Sequence, residues 1–148
     1  MIKNVNKVVL ACDHGGYSLK QEIIKYLNNS NIGFVDVGCD NEDSCDYPDF
    51  AHSACDYLGF HGLGIFICGS GNGINMTANS HINVRSALCW KEEIAELARL
   101  HNNANVMCLP GRFITTEEAI KCVDKFLNIE FEGGRHLKRV NKIKGISD

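Results

Sequence analysis

Short apolar runs alternate with amphipathic stretches along nearly the whole chain. That alternation restricts the fold more than any other feature. The runs KVVLAC (7–12), GFVDVG (33–38), LGIFIC (63–68), NVRSALC (83–89) and NVMCL (105–109) have the length and character of buried strands. Between them, residues 17–29, 49–60, 91–102 and 115–128 read as helices. In the first of these, Leu19, Ile23, Ile24 and Leu27 recur on one face. The second is entered through Pro48, and the last opens as a capping box of Thr115 with Glu118. The tail GGRHLKRVNKIKG is helical or extended. Strand and helix in this order build βαβ units, hence an α/β fold with a parallel sheet covered on both faces. No repeat or linker divides the 148 residues, so a single domain over 1–148 is expected.

In such sheets, ligands bind beyond the carboxyl ends of the strands. That rule directs attention to the junctions ACDHGG, DVGCD, FICGSGNG and ALCWK. A net charge of −3 gives no basis for nucleic-acid or membrane binding. No apolar stretch approaches the ~20 residues of a membrane span, and the N-terminus lacks a signal-peptide pattern, so a cytoplasmic protein is expected. The eight cysteines contain no CxxC pair, which argues against a structural zinc site, and most read as small buried hydrophobes.

Charge is unevenly placed. No Lys or Arg occurs between Lys25 and Arg85, whereas seven acidic residues lie there, from Asp36 to Asp56. The tail carries Arg135, Lys138, Arg139, Lys142 and Lys144. It reads either as a solvated helix face or as an anion grip, with Arg135 and Arg139 one helical turn apart.

The loop Gly69-Ser70-Gly71-Asn72-Gly73 follows the third strand. Its spacing is neither that of a dinucleotide fingerprint nor that of a Walker loop, and it is not a nucleophile elbow. It reads as a bare left-handed turn or as a cradle of N–H groups at a helix start. Cys68, just before it, is either a packing residue or a thiolate able to act as general base. The loop amides would then hold the developing oxyanion and Ser70 would relay a proton. Asp13 and His14 offer contacts to a sugar and a phosphate, or merely a helix cap and an exposed loop residue. His101, at a helix end, reads from its position as a packed, hydrogen-bonded histidine more readily than as an acid or base.

Six segments carry a resemblance: ACDHGGYSLK, DYPDFA, FICGSGNGINMTANS, VRSALC, ARLHNNANVMCLPGR and EGGRHLKRV. In order and spacing they resemble the ribose-5-phosphate isomerase B family, a group that includes the galactose-6-phosphate isomerase subunits. The likeness runs from about residue 7 to residue 142. It implies a Rossmann-like αβα sandwich and aldose–ketose isomerisation through an enediolate, without cofactor or metal. It also implies a homodimer or a tetramer of dimers, with sites at the subunit interface. By motif, Cys68 takes the place of the base acting between C1 and C2, and His101 that of the ring-opening residue. Asp13, His14, Tyr47, Asn102 and the loop Gly69, Ser70, Gly71, Asn72 and Gly73 fall on substrate-binding positions. Arg112, Arg135 and Arg139 fall on the phosphate grip. TANSHINVRSA departs from the family's AANKxxGIRAA, with Ser80 for Lys and Asn83 for Gly, which bears on the shape of that loop. The implied substrate is ribose 5-phosphate. A six-carbon sugar phosphate and a non-catalytic sugar-phosphate module are the competing readings. A cysteine redox or hydrolytic enzyme has no motif in support.

Overall fold

In the computed structural model, described for residues 7–59 and 62–144, five parallel strands form one sheet. The N-terminal segment, Phe60 and Gly145, on which parts of the sequence reading fall, lie outside the described residues. The elements are β1 (Lys7–Cys12), α1 (Tyr17–Asn29), β2 (Val35–Asp36), α2 (Tyr47–Leu58), β3 (Gly62–Cys68), α3 (Asn72–Asn79), β4 (Ser86–Leu88), α4 (Glu92–Leu100), β5 (Val106–Pro110), α5 (Thr116–Asn128) and α6 (Leu137–Val140). A short 3-10 turn, Gly134–His136, leads into α6. Strand order is β2-β1-β3-β5-β4. The chain leaves β1 toward β2 and returns to place β3 on the other flank. The sheet therefore has its switch point between β1 and β3, where a crevice opens beyond the strand ends.

Alternate side chains build two cores, as strand geometry requires. Val8, Leu10, Cys12, Ile65, Ile67, Met107 and Leu109 face α1, α4 and α5. Val9, Ala11, Phe66, Cys68, Val106 and Cys108 face α2 and α3. Both faces are thus covered, and the central strands read as continuous apolar runs for that reason. Lys20 is buried under the first strand end. Its ammonium donates to Asp36 Oδ1 (3.0 Å) and to the Cys39 carbonyl (2.7 Å), tying α1 to β2 and the loop after it.

Several boundaries differ from the sequence reading. β2 shortens to two residues, pairing only with Val9 and Leu10. β4 shortens to Ser86–Leu88 because the Arg85 N–H is taken by the Asn105 side chain (2.7 Å) rather than by the ladder. α2 begins at Tyr47, with Pro48 in its first turn. Only half of the capping box forms. Thr115 Oγ1 accepts from the Glu118 N–H (3.1 Å), but Glu118 Oε1 reaches across to the Glu92 N–H (2.8 Å) and caps α4.

All eight cysteines are free thiols, seven of them buried. Burial pushes Cys55, Cys89 and Cys122 up to about 12, and raises Cys12 and Cys108 further. These five stay protonated and act as packing residues, consistent with the hydrophobic reading of most cysteines.

The turn after β1 lies against β3. A Cβ on Gly16 would come within 2.5 Å of the Ile67 carbonyl oxygen and 2.6 Å of Ile67 Cβ. Gly16→Ala is expected to cost about 1–3 kcal/mol through that overlap. A lower urea midpoint with an unchanged slope would show it.

Candidate functional site

The loops after β1, β3 and β5 converge at the carboxyl edge of the sheet. A Cβ on Gly15 would sit 2.9 Å from Gly69 N, and one on Gly111 would sit 2.7 Å from Gly15 O. Side chains are excluded there so that three loops meet backbone to backbone. Bonds from the Gly111 N–H to Cys68 O (2.8 Å) and from the Arg112 N–H to Gly69 O (3.0 Å) lock two of them together. The Arg112 guanidinium lies over Gly69, with Nη1 3.2 Å from where a Cβ would stand.

Cys68 ends β3 with its side chain in the core facing α2 and α3, and the residue is 4% exposed. The turn behind it is shaped by Gly71, whose φ of +77° is a left-handed conformation that favours glycine. Gly71 is also the N-cap of α3, a helix that the sequence reading placed only as a helix start after the loop. The first-turn N–H groups of α3 have no acceptor within the helix and form the positive end of its dipole beside Cys68. Ser70 Oγ accepts from the Asn72 N–H (3.2 Å) and is otherwise directed to solvent. The ring of Tyr47 rests directly on Gly73, its carbons 2.4–2.7 Å from a would-be Cβ.

Asp13 is buried, and its Oδ1 accepts the Gly15 N–H (2.8 Å), so it shapes its own turn and caps no helix. His14 Nδ1 accepts the Cys45 N–H (3.2 Å). That bond places the proton of a neutral His14 on Nε2. Asp13, His14, Cys45, Asp46, Tyr47 and Asp49 line a cavity of about 450 Å³. Its described lining is rich in acceptors and includes no Lys or Arg, as suits hydroxyl groups better than phosphate.

The remaining predicted residues lie elsewhere in the chain. His101 closes α4 and Asn102 follows it. Arg85 holds that turn, with Nε donating to Asn102 O (2.7 Å) and Nη2 to Asn103 O (3.0 Å). His101, Asn102, Arg135, His136 and Arg139 line a second cavity of about 370 Å³. Arg135 and Arg139 therefore do share one face, as their spacing predicts. Gly133 (φ +73°) and Gly134 (φ +53°) turn the chain into that cavity, and the Glu132 N–H is fastened to Leu100 O (3.0 Å). Glu132 and His136 escaped the sequence reading. The string EGGRH was a signal for them, since it sets both within three residues of Arg135 along the chain.

The two halves stand at opposite ends of β5. Cys68 is level with Pro110 in the sheet, whereas His101 precedes Val106, the first residue of that strand. The four residue steps from Val106 to Pro110 alone separate them by about 13 Å. Arg112 lies at the Cys68 end, apart from Arg135 and Arg139.

Asn83 and Ser80 leave the loop after α3 well ordered by hydrogen bonds. Ser80 Oγ donates to Thr77 O (2.6 Å), and Asn83 Nδ2 donates to Cys55 O (3.3 Å). Asn83 is not among the residues with positive φ, so no glycine is required there.

Residues 8–143 match the family model described as Ribose/Galactose Isomerase. The chain belongs to that family. This isomerase-family chain is 46% identical over 140 residues to the probable ribose-5-phosphate isomerase B of Mycoplasma genitalium, covering 92% of each. It is 35% identical over 144 residues to the ribose-5-phosphate isomerase B of Escherichia coli, covering 96% of this chain and 97% of that protein. Its fold matches the Thermotoga maritima ribose 5-phosphate isomerase crystal structure with a TM-score of 0.91 at 41% identity, covering 95% and 98% of the two chains. The Mycoplasma genitalium enzyme with bound ribulose-5-phosphate matches at 0.88 and 45%, over 93% of each chain. The Rossmann-like αβα sandwich implied by the six motifs is the observed fold. Among the described residues no helix is long and apolar enough to cross a membrane.

Proposed function

We propose that this chain is an aldose–ketose isomerase that interconverts D-ribose 5-phosphate and D-ribulose 5-phosphate. The reaction runs in a site completed by two copies of the chain, in a cytoplasmic homodimer or a tetramer of such dimers. The observation that carries the two-copy reading is the division of the site along β5. Cys68 and His101 both act at C1 and its bonded neighbours, yet within one chain they lie a strand's length apart, which supports supplying one of them from a second copy. A two-fold pair could set the hydroxyl-binding half of one copy against the phosphate-binding half of the other. The exposed apolar residues Met76, Ile82, Leu97, Leu137 and Ile143 are available for such an interface.

Each residue then has a task. Arg135 and Arg139 grip the phosphate, and Arg112, at the glycine loop, adds a further cation. Asn102 and His14 orient the substrate, and Tyr47 walls the sugar cavity. Asp13 accepts hydroxyl hydrogen bonds. His101 opens the furanose by giving a proton to the ring oxygen while the C1 hydroxyl loses one. The Cys68 thiolate then takes the C2 proton. Negative charge gathers on the enediolate oxygens, where the amides of residues 69–73 stabilise it. Ser70 moves a proton between O1 and O2, and Cys68 returns its proton to C1. Phosphate binding thereby holds C1 and C2 at the thiolate.

The direct test is ribose 5-phosphate in deuterated water with chelator present. Ribulose 5-phosphate with deuterium at C1 is the expected product. Absence of both ketose and exchange would overturn the pentose assignment, and turnover of allose or galactose 6-phosphate instead would establish the six-carbon reading. Arg139→Ala is expected to raise KM about 10–100-fold, the loss of one or two charge-assisted bonds, with kcat changed little. An unchanged KM would remove Arg139 from the phosphate grip.

A further inference from the structure

The cavity at the end of α4 holds a cluster that the isomerase reading does not use as a unit. Glu132 Oε2 lies 3.8 Å from His101 Nε2 and 3.7 Å from His136 Nε2. The three ligand-type atoms all lie within 4.8 Å of one another. The His136 side chain is 7% exposed, and its Nε2 is buried with no hydrogen-bond partner. A buried imidazole nitrogen without a partner is costly unless something else satisfies it. Here it faces the Glu132 carboxylate, and its ring stacks on that of His101.

We propose that His101, Glu132 and His136 form a binding site for a divalent transition-metal ion of the zinc class. By occupying the His101 lone pair, the ion would block ring opening. Two imidazoles and one carboxylate with an open fourth position suit zinc in ligand type and number. The absence of CxxC pairs does not bear on this site, because no cysteine takes part.

The geometry requires only local closure. Zinc ligands stand about 2.0–2.2 Å from the ion, hence roughly 3.3–3.6 Å from one another. The two Glu132–His distances must shorten by a few tenths of an ångström, and the imidazole nitrogens, within the 4.8 Å span of the cluster, by up to about 1.5 Å. The imidazoles stack at 4.1 Å with planes 15° apart, and their lone pairs must be brought to converge. His136 is the fixed member. The His101 ring, 36% exposed, and the Glu132 carboxylate, 55% exposed, are free to swing toward it. Arg135 and Arg139 line the same cavity and oppose a bare cation. The fourth position therefore takes an anion that answers both guanidiniums, inorganic phosphate when no sugar is present and the phosphate of the bound sugar in the assay.

The inhibition depends on the proposed role of His101 but the binding does not, and the experiment separates them. Full-length, reduced, metal-stripped protein is titrated with Co²⁺ in the presence of phosphate. The expected result is visible ligand-field bands with no thiolate-to-metal charge-transfer band. Glu132→Gln, an exposed change that leaves the core untouched, should weaken Co²⁺ binding about 10–100-fold. Bands that persist unchanged in Glu132→Gln, or a thiolate band lost in a cysteine variant, would overturn the site. Zn²⁺ should suppress ribose 5-phosphate turnover reversibly, with relief by chelator and in Glu132→Gln. Zn²⁺ should leave intact the solvent exchange at C1 of ribulose 5-phosphate, which needs no ring opening. Metal bound at this site with undiminished turnover would uphold the site and overturn the ring-opening role of His101.

Discussion

Cys68→Ala is expected to abolish isomerisation while leaving the fold intact. The substitution removes one sulfur from a site between α2 and α3, in a layer already built from small residues such as Ala11, Ala51, Ala54 and Cys108. The stability loss should therefore stay near 1 kcal/mol, the order of one small buried group. The chemical loss is of another size. Under the proposed mechanism the variant has no base at C2, and a positioned general base is worth about 10²–10⁴-fold. Turnover of ribose 5-phosphate should fall to the limit of detection, as should deuterium exchange at C1 of ribulose 5-phosphate. Substrate binding by calorimetry should persist, because the phosphate grip lies elsewhere. Near-normal exchange in Cys68→Ala would overturn its assignment as the base.

Two inactive variants should restore each other. Cys68→Ala and His101→Asn damage opposite halves of the site. In a two-fold dimer, a mixed pair carries one doubly damaged site and one intact site. After unfolding and refolding an equal mixture, about half of the dimers are mixed, and about a quarter of wild-type activity should return. Neither variant alone should exceed a small residue of activity. If the site lay within one chain, every site in the mixture would keep a lesion and no activity would return. Light scattering on the same samples gives the number of chains in the assembly.

Much of the architecture was legible because buried parallel strands leave a local mark. The apolar runs at 7–12, 63–68 and 105–109 are nearly the observed β1, β3 and β5, since both faces of each strand meet a core. β2 and β4 were read too long, because their ends depend on which partner accepts each N–H, and Asn105 intercepts that of Arg85. The helix Asn72–Asn79 left little periodic signal, as only Ile74 and Ala78 are buried.

The chemistry divided in the same way. Which residue types were present, and the separation of an acidic, cation-free stretch from a basic tail, followed from the sequence by itself. So did the strand-end positions of Asp13 and Cys68, because strand alternation and the carboxyl-edge rule are local in origin. The order β2-β1-β3-β5-β4 was beyond reach, since pairing between strands is a non-local choice. Only that order set Cys68 level with Pro110 and left His101 below the start of the same strand. Only the left-handed turns at Gly133 and Gly134 carried Arg135 and His136 beside His101. Sequence determines which groups exist and which lie close along the chain. Distances between groups far apart in the chain arise when both cores pack at once, and those distances divided one recognisable motif set between two ends of the molecule.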